Sequence, residues 1–254
     1  MFYITVFILV CIWGSFSNVC IYRLPLNISV TKGRSYCLSC QKQINWFDNI
    51  PLVSFIVLMA KCRHCSTKID FKYFLVELIS GLNFLIIFYF FGISIESLLL
   101  IILSIFFLII YFIDLKHFII PNELTYPLIV LGFGKTFFTN PNYYIFPDYL
   151  NSIIGGVAGY TIIWVIIFLY KKLKNIEGMG LGDAKLLAAI GFWFGWISLP
   201  FVLFFSSLTA LLVSVPSLIK KTKNLQTKIP FGPYIILGCV LYLLCFEKIL
   251  ILLN

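Results

Sequence analysis

Two aspartates lie where an apolar run of this sequence meets a polar stretch, and a pair of carboxylates in that setting could hydrolyse an amide bond. Asp114 ends one apolar run, and Asp183 opens another directly after the glycine-rich segment 178–182. A charge at the edge of a membrane is energetically unfavourable, which makes each aspartate a candidate for function. For Asp183 alone, a structural role as the N-cap or first-turn acid of a helix explains its position equally well.

Two carboxylates brought together in a low-dielectric crevice cannot both ionise easily, so one of them keeps a proton. The charged carboxylate could then accept a proton from water while the protonated one polarises the scissile carbonyl, which splits a peptide bond without a metal. The sequence therefore predicts Asp114 and Asp183 as catalytic residues. Gly180 and Gly182 lack side chains, and we expect them to support the loop and to let an extended substrate lie against it.

The other titratable residues compete weakly for this role. The chain has only two histidines, His64 and His117, which are too few for a histidine metal centre. Glu77 lies inside an apolar run, and we expect it to pair with Lys72 or Arg63 near the interface, or to line a polar pocket.

Four cysteines predict a metal site in the polar stretch 22–72. They form two C-x2-C pairs separated by 21 residues, Cys37 with Cys40 and Cys62 with Cys65. This spacing suits a four-thiolate zinc site, and four filled ligand positions indicate a structural ion. Disulfides are the alternative, which a reducing cytosolic location disfavours.

Residues 46–54, between the two cysteine pairs, mix aromatic, acidic and apolar side chains with one proline. We interpret this segment as an interfacial one that lies on the bilayer. A binding role is the alternative, and the composition of the segment does not select it.

The elements that must position these residues are membrane helices. The 254 residues are 61% hydrophobic and 11% charged, against about 25% charged in a soluble domain, so the predicted fold class is an all-α polytopic membrane protein. Apolar runs fall at 2–20, 73–91, 97–114, 123–138, 150–170, 184–198, 200–218 and 231–251. They predict about eight transmembrane helices, with seven as the alternative because Pro200 could either start a helix or kink one. In the fifth run, Gly155 and Gly159 have the spacing of closely packed membrane helices.

The basic residues orient these helices. No lysine or arginine precedes the first run and Arg23 follows it, so we expect the amino terminus outside and residues 22–72 in the cytoplasm. Eight spans then place 17 of the 19 lysines and arginines on the cytoplasmic side, together with both aspartates. The net charge of +9 thus indicates membrane topology and lipid neighbours, not nucleic acid. The predicted segments are a first transmembrane helix, 1–21, a cytoplasmic zinc-binding insert, 22–72, and a transmembrane aspartyl peptidase domain, 73–254.

Six motifs, in order and nearly end to end, carry a resemblance to a known family. They are residues 14–25 (GSFSNVCIYRLP), the cysteine pairs around 48–51 (DNIP), 73–81 (YFLVELISG), Asp114 with 120–125 (IPNELT), 177–187 (EGMGLGDAKLL) and 229–233 (IPFGP). With these motifs the chain resembles the type IV prepilin peptidases, the leader peptidase and N-methyltransferase family of intramembrane aspartyl proteases with a G-x-G-D motif.

The resemblance implies a bacterial inner-membrane enzyme that cleaves the short basic leader of type IV prepilins or type II secretion pseudopilins on the cytoplasmic side. It also implies methylation of the new amino terminus with S-adenosylmethionine. Asp114 and Asp183 would take the catalytic roles, and the four cysteines would hold zinc. No glycine-rich nucleotide loop is visible, so the sequence assigns no residue to S-adenosylmethionine.

Two other classes of function are alternatives to a protease. A transporter that uses intramembrane carboxylates as a proton relay would place its acids nearer mid-membrane and would carry inverted repeats, and we see neither. A membrane interaction protein anchored by zinc, without chemistry, is the other.

Overall fold

The computed structural model describes residues 2–139, 145–174, 179–219 and 229–253. Glu177 and Gly178, the first residue of the glycine-rich segment, lie outside these ranges, as do four lysines of the predicted last cytoplasmic loop. Within these ranges the chain forms helices and no β-strand beyond two isolated bridges. The helices are α1 Phe2–Arg23, α2 Val53–Val57, α3 Phe71–Phe91, α4 Ile95–His117, α5 Asn122–Gly134, α6 Tyr149–Lys174, α7 Leu181–Phe194, α8 Ser198–Ile219 and α9 Gly232–Leu253.

The predicted helical fold class is confirmed, and each of the eight apolar runs coincides with one helix other than the five-residue α2. Pro200 lies in the first turn of α8 after a break at 195–197, so it starts a helix and does not kink one. Among the described residues, four helices are long and apolar enough to cross a membrane: α3, α4, α6 and residues 198–215 of α8. The count of eight spans stays a prediction.

The chain divides into two compact units, residues 1–109 and residues 110–254. In the first unit, α1 packs on α3 at Gly14, where a Cβ atom would overlap the side chain of Ser80 and come within 2.9 Å of the Cα of Glu77. The amide of Asn18 also donates a hydrogen bond to the carbonyl of Tyr73 at 3.1 Å. Small and polar residues on facing helices thus join α1 to α3, as is usual inside membranes.

The polar stretch after α1 is tied to the end of that helix by a buried arginine. The guanidinium of Arg23 donates hydrogen bonds to the carbonyl oxygens of Ser29 (3.0 Å), Lys32 (2.7 Å) and Arg34 (3.3 Å). A buried charge needs such partners, so this loop is fixed next to the point where α1 ends.

In the second unit, α7 is the enclosed helix, and it carries Asp183 in its first turn. Gly155 of α6 and Gly191 of α7 face each other so closely that a Cβ on either would overlap the carbonyl of the other. The predicted tight packing at Gly155 is therefore confirmed, and α7 is the partner. On another side, the buried indole of Trp193 donates to the carbonyl of Leu128 in α5 at 2.8 Å. These contacts fix the helix that positions Asp183.

Candidate active site

Asp114 lies in the last turn of α4, and its side chain is held by the start of α9. The residue is 4% exposed, and its Oδ2 accepts a hydrogen bond from the backbone N–H of Gly232 at 3.0 Å. The helix ends just beyond, where Phe118 adopts a left-handed φ of 58° and its N–H donates to the carbonyl of Asp114. The end of one helix and the beginning of another thus determine where this carboxylate points.

Asp183 occupies the first turn of α7, and its side chain binds back to the glycine loop, residues 179–182, which leads into this helix. It is 8% exposed, and its Oδ2 accepts a hydrogen bond from the N–H of Gly180 at 3.2 Å. Gly180 is extended, with φ −88° and ψ 150°, and forms the N-cap of the helix. The helix-start role considered for Asp183 is therefore present, and it leaves the second carboxylate oxygen available for other contacts.

The structure brings the two predicted aspartates together, and Ile120 connects their surroundings. A Cβ on Gly182 would lie 3.0 Å from the Cβ of Ile120, and a Cβ on Gly232 would lie 3.0 Å from the Cδ1 of the same residue. Gly182 directly precedes Asp183 and Gly232 binds Asp114, so both aspartates lie beside Ile120. The ends of α4, α7 and α9 therefore converge on one site.

No cation neutralises this pair among the described residues. Lys185 is two positions after Asp183, yet its ammonium donates to the side-chain oxygen of Asn122 at 2.6 Å and lies 5.1 Å from the ring centre of Tyr126. Two buried carboxylates without a cation can lower their free energy by sharing one proton. This is the arrangement that acid–base hydrolysis requires.

Gly232 offers a test of this geometry. A Cβ at this position would be 2.7 Å from the Oδ2 of Asp114, so Gly232→Ala should displace the carboxylate and weaken its hydrogen bond. A displacement of about 1 Å can reduce a rate by roughly 100-fold, and we expect a loss of that order in hydrolysis at normal expression. The rate is measured by the mass of the cleaved product.

The matched control is Gly134→Ala, at the end of α5, where a Cβ would meet no atom of the described residues within 4 Å. It should hydrolyse substrate at the rate of the unchanged protein. Equal rates for both variants would show that the hydrogen bond from Gly232 does not hold the reactive carboxylate.

The four cysteines form a second site, built from two equivalent loops. In the first loop, a bridge joins Tyr36 to Gln43 around Cys37 and Cys40. In the second, a bridge joins Lys61 to Lys68 around Cys62 and Cys65. Each loop turns through a residue with positive φ, Gln41 (58°) in one and Ser66 (56°) in the other, whose N–H bonds back to the first cysteine's carbonyl. The two loops thus present their thiols in the same way.

The sulfur atoms of these cysteines are placed as metal ligands. All four Sγ atoms lie within 4.8 Å of one another, and those of Cys37 and Cys65 are 3.8 Å apart. A tetrahedron with Zn–S bonds of about 2.3 Å has edges of about 3.8 Å, so the set fits a zinc ion. All four are free thiols, which agrees with a metal site and not with the disulfide alternative.

An ion pair links the second cysteine loop to the segment between the loops. Arg63 donates from Nε and from a terminal nitrogen to both carboxylate oxygens of Asp48, at 2.6 to 3.1 Å. The hydrogen bonds from Arg63 hold the pKa of Asp48 below its ordinary value. Arg63 also lies 5.4 Å from the ring centre of Phe47. The spacing of Asp48 and Arg63 along the sequence does not by itself indicate that they form an ion pair.

The prediction that Glu77 pairs with a nearby cation is wrong. Arg63 is bound to Asp48, and Lys72 lies beside Asp70 at 3.8 Å. Glu77 instead accepts a hydrogen bond from the backbone N–H of Leu52 at 2.9 Å. The carboxylate of Glu77 therefore provides the hydrogen-bond acceptor that the backbone N–H of Leu52 needs.

Two further residues of the site were not assigned by sequence reasoning. Gly232 belongs to the recognised motif 229–233, but nothing in the pattern indicates that its N–H holds Asp114. Ile120 precedes Pro121 in another motif, and its contact with both glycines depends on helices far apart in sequence. A glycine directly before a helix-starting proline was the only available signal for Gly232.

Comparisons with known proteins give consistent results. The model of the Bacterial Peptidase A24 N-terminal domain matches residues 8–91, and that of the Type IV leader peptidase family matches residues 101–215. A protein of Vibrio cholerae serotype O1 is 37% identical over 243 residues, covering 91% of this chain and 91% of the relative. Relatives from Neisseria gonorrhoeae (34% identical, 87% and 82% covered) and Pseudomonas putida (32%, 87% and 83%) are similar. All three are named prepilin leader peptidase/N-methyltransferase. No solved structure matches the chain.

Proposed function

The chain belongs to the type IV leader peptidase family, and we propose that it removes the leader of type IV prepilins or type II secretion pseudopilins with Asp114 and Asp183 as its catalytic pair. One observation supports the catalytic assignment most strongly. Two buried carboxylates, each held through Oδ2 by a backbone N–H at the beginning of a helix, lie beside the same isoleucine, Ile120, and no lysine or arginine of the described residues forms an ion pair with either.

The proposed reaction uses the proton that the pair shares. The charged carboxylate accepts a proton from water as the water oxygen attacks the scissile carbonyl carbon, and the protonated carboxylate gives its proton to the carbonyl oxygen. The tetrahedral intermediate then collapses, the C–N bond breaks, and the leaving amine takes up the first proton, while the hydroxyl that becomes the new carbonyl returns the second proton to the carboxylate that donated it. The hydrogen bonds from Gly180 and Gly232 fix one oxygen of each aspartate, so the other oxygen can face water or the peptide.

The reaction needs one proton on the pair, so its rate should fall at both ends of the pH scale. At low pH both carboxylates are protonated and none can accept a proton from water. At high pH both are charged and none can donate to the carbonyl. A bell-shaped dependence of kcat/KM on pH is the expected form.

The glycine loop is the proposed place of the substrate backbone. Gly180 is extended, and the nearest atom that a Cβ there would meet among the described residues, apart from its chain neighbours, is the Oδ2 of Asp183 at 3.7 Å, so the described part of the loop leaves space beside Asp183. At Gly182 that space is already filled by Ile120. We therefore assign contact with an extended peptide to Gly180 and close packing to Gly182.

A zinc ion would be held by Cys37, Cys40, Cys62 and Cys65, whose sulfur positions fit it. Four thiolates leave no open coordination position, so the ion would supply structure and no catalytic step. It would fold an insert that has little core of its own.

Methylation of the new amino terminus is proposed from the family, whose named relatives are N-methyltransferases. The methyl donor would be S-adenosylmethionine. The described residues contain no strand followed by a glycine-rich turn, so they form no nucleotide site of the usual type.

The proposed location is the bacterial inner membrane, with the insert and both aspartates on the cytoplasmic side. Lys116 ends α4 close to Asp114, and Lys171, Lys172 and Lys174 end α6. These positive charges favour the cytoplasmic side. The transporter alternative is not supported, because both aspartates lie at helix ends and the relatives are named peptidases.

The function is tested on purified, zinc-loaded protein in bilayers that also contain a prepilin. Mass spectrometry of the pilin should show loss of the leader and, when S-adenosylmethionine is added, one further methyl group. An intact prepilin after incubation would contradict the peptidase, whereas leader loss without the methyl group would contradict only the methyltransferase.

A further inference from the structure

The short helix α2 in the insert has one side packed on α3 and an opposite side that is bare. Phe55 contacts Phe71 and Phe74 of α3, with ring centres 6.1 Å and 5.1 Å apart. At about 100° per residue, Val53 and Val57 lie roughly 160° around the helix axis from Phe55, and Ile56 lies beside them at roughly 100° from Phe55. We call these three residues the α2 stripe.

The α2 stripe is highly exposed for aliphatic side chains. Val53 is 54% exposed, Ile56 67% and Val57 68%. Three such side chains side by side on one helix face are not expected to stand in water. Something of apolar character must therefore cover them in the assembled membrane protein.

The depth of α2 indicates what covers the stripe. The N–H of Leu52, just before α2, donates to Glu77 of α3 at 2.9 Å, and Phe55 packs on Phe71 and Phe74. These contacts lie within the first two turns of α3, about 9 Å along its axis. Because α3 is apolar enough to span a membrane, α2 lies beside the part of it that passes the lipid head groups.

The charge of the insert agrees with a lipid surface. Residues 22–72 contain eight lysines and arginines and only two acids. Lys42, Lys61 and Lys68, on the two cysteine loops, are exposed. Such a basic and apolar combination binds anionic head groups and the acyl boundary beneath them.

We propose that the α2 stripe inserts into the head-group and acyl boundary of the bilayer that α3 crosses, at a depth set by Glu77 and Phe55. The insert then lies on the membrane surface, and its two cysteine loops stay at a fixed height above the lipid.

The test places a photoreactive benzoylphenylalanine at Ile56 in the full-length, zinc-loaded protein. The protein is reconstituted in nanodiscs of phosphatidylethanolamine and phosphatidylglycerol with added prepilin, irradiated, and weighed intact. We expect an adduct with the mass of one phospholipid. The matched control carries the same group at Leu38, which is 48% exposed in the first cysteine loop and should give several-fold less lipid adduct.

An adduct at Ile56 with anything other than a phospholipid would contradict the proposal and would identify what covers the stripe instead. An adduct with prepilin would make the stripe a substrate-docking surface, and one with a second copy would make it a dimer interface. Recovery of unmodified protein at Ile56 would show that the stripe faces water.

A second pair of variants tests the role of Glu77 as a positioning residue. Glu77→Gln keeps a side-chain oxygen for the N–H of Leu52 and should retain the lipid adduct at Ile56. Glu77→Ala removes that oxygen and should reduce the adduct several-fold at unchanged zinc content. Equal adduct in both variants would show that this hydrogen bond does not set the depth of α2.

Discussion

Asp183→Asn and Asp114→Asn, made separately, are each expected to reduce leader removal by about 1,000-fold or more, in line with the loss of a general acid or base. Asparagine has nearly the shape of aspartate and keeps one oxygen that can accept the hydrogen bond from Gly180 or Gly232. The fold should therefore persist while proton transfer is lost. The measurement is the mass of the pilin product together with the yield of folded enzyme.

The matched control for this pair is Asp148→Asn. Asp148 is another acid at a helix boundary: it directly precedes α6, its side chain accepts a hydrogen bond from the amide of Asn151, and it belongs to no motif of the site. It should process prepilin normally. If either variant of the pair did so as well, the two-carboxylate mechanism would be refuted.

Cys37→Ser is expected to lower the zinc content from one ion per chain to none and to make the insert sensitive to protease. Structural zinc in small thiolate sites binds with an apparent free energy of about 10–16 kcal/mol at neutral pH. A serine oxygen is a poor replacement for one of four thiolates. Because the clustered sulfur atoms join the two cysteine loops, the insert should lose its fixed structure when the ion is lost.

Cys245→Ser provides the comparison for the metal site. Cys245 is a half-buried cysteine of α9, apart from the cluster. This variant should keep its zinc and its protease resistance. The zinc assignment would be excluded by an unchanged metal content, measured by atomic emission, in Cys37→Ser.

The sequence predicted the candidate site well where the signal is local. An apolar run that ends at Asp114 and another that opens after Asp183 place both carboxylates at helix ends, because hydrophobic length decides where a membrane helix stops. The structure has them in the last turn of α4 and the first turn of α7. The spacing of the cysteine pairs likewise required only that two short loops fold back, and the four sulfur atoms do cluster.

Sequence reasoning failed where a residue's partner is distant along the chain. Glu77 was expected to pair with Lys72 or Arg63 or to line a polar pocket; neither cation pairs with it, and it accepts a hydrogen bond from the N–H of Leu52. Lys135 lies near the end of the apolar run 123–138, and nothing in that run indicates that its ammonium is buried 4.6 Å from the ring centre of Phe146, without a hydrogen-bond acceptor among the described residues. Composition gives the polarity of a segment, but it does not give the surface against which that segment packs.

By itself, the sequence determined a helical membrane protein, the ends of its long helices, a four-thiolate cluster and two aspartates at helix boundaries. Hydrophobic length and ligand spacing are properties of neighbouring residues, so they can be read along the chain. Only the tertiary structure decided that Gly232 holds Asp114, that Ile120 packs against the glycines beside both aspartates, and that Gly191 lets α6 approach α7. The physical reason is that close packing of helices separated in sequence depends on the shapes of both surfaces at once, and each surface is specified by a different part of the chain.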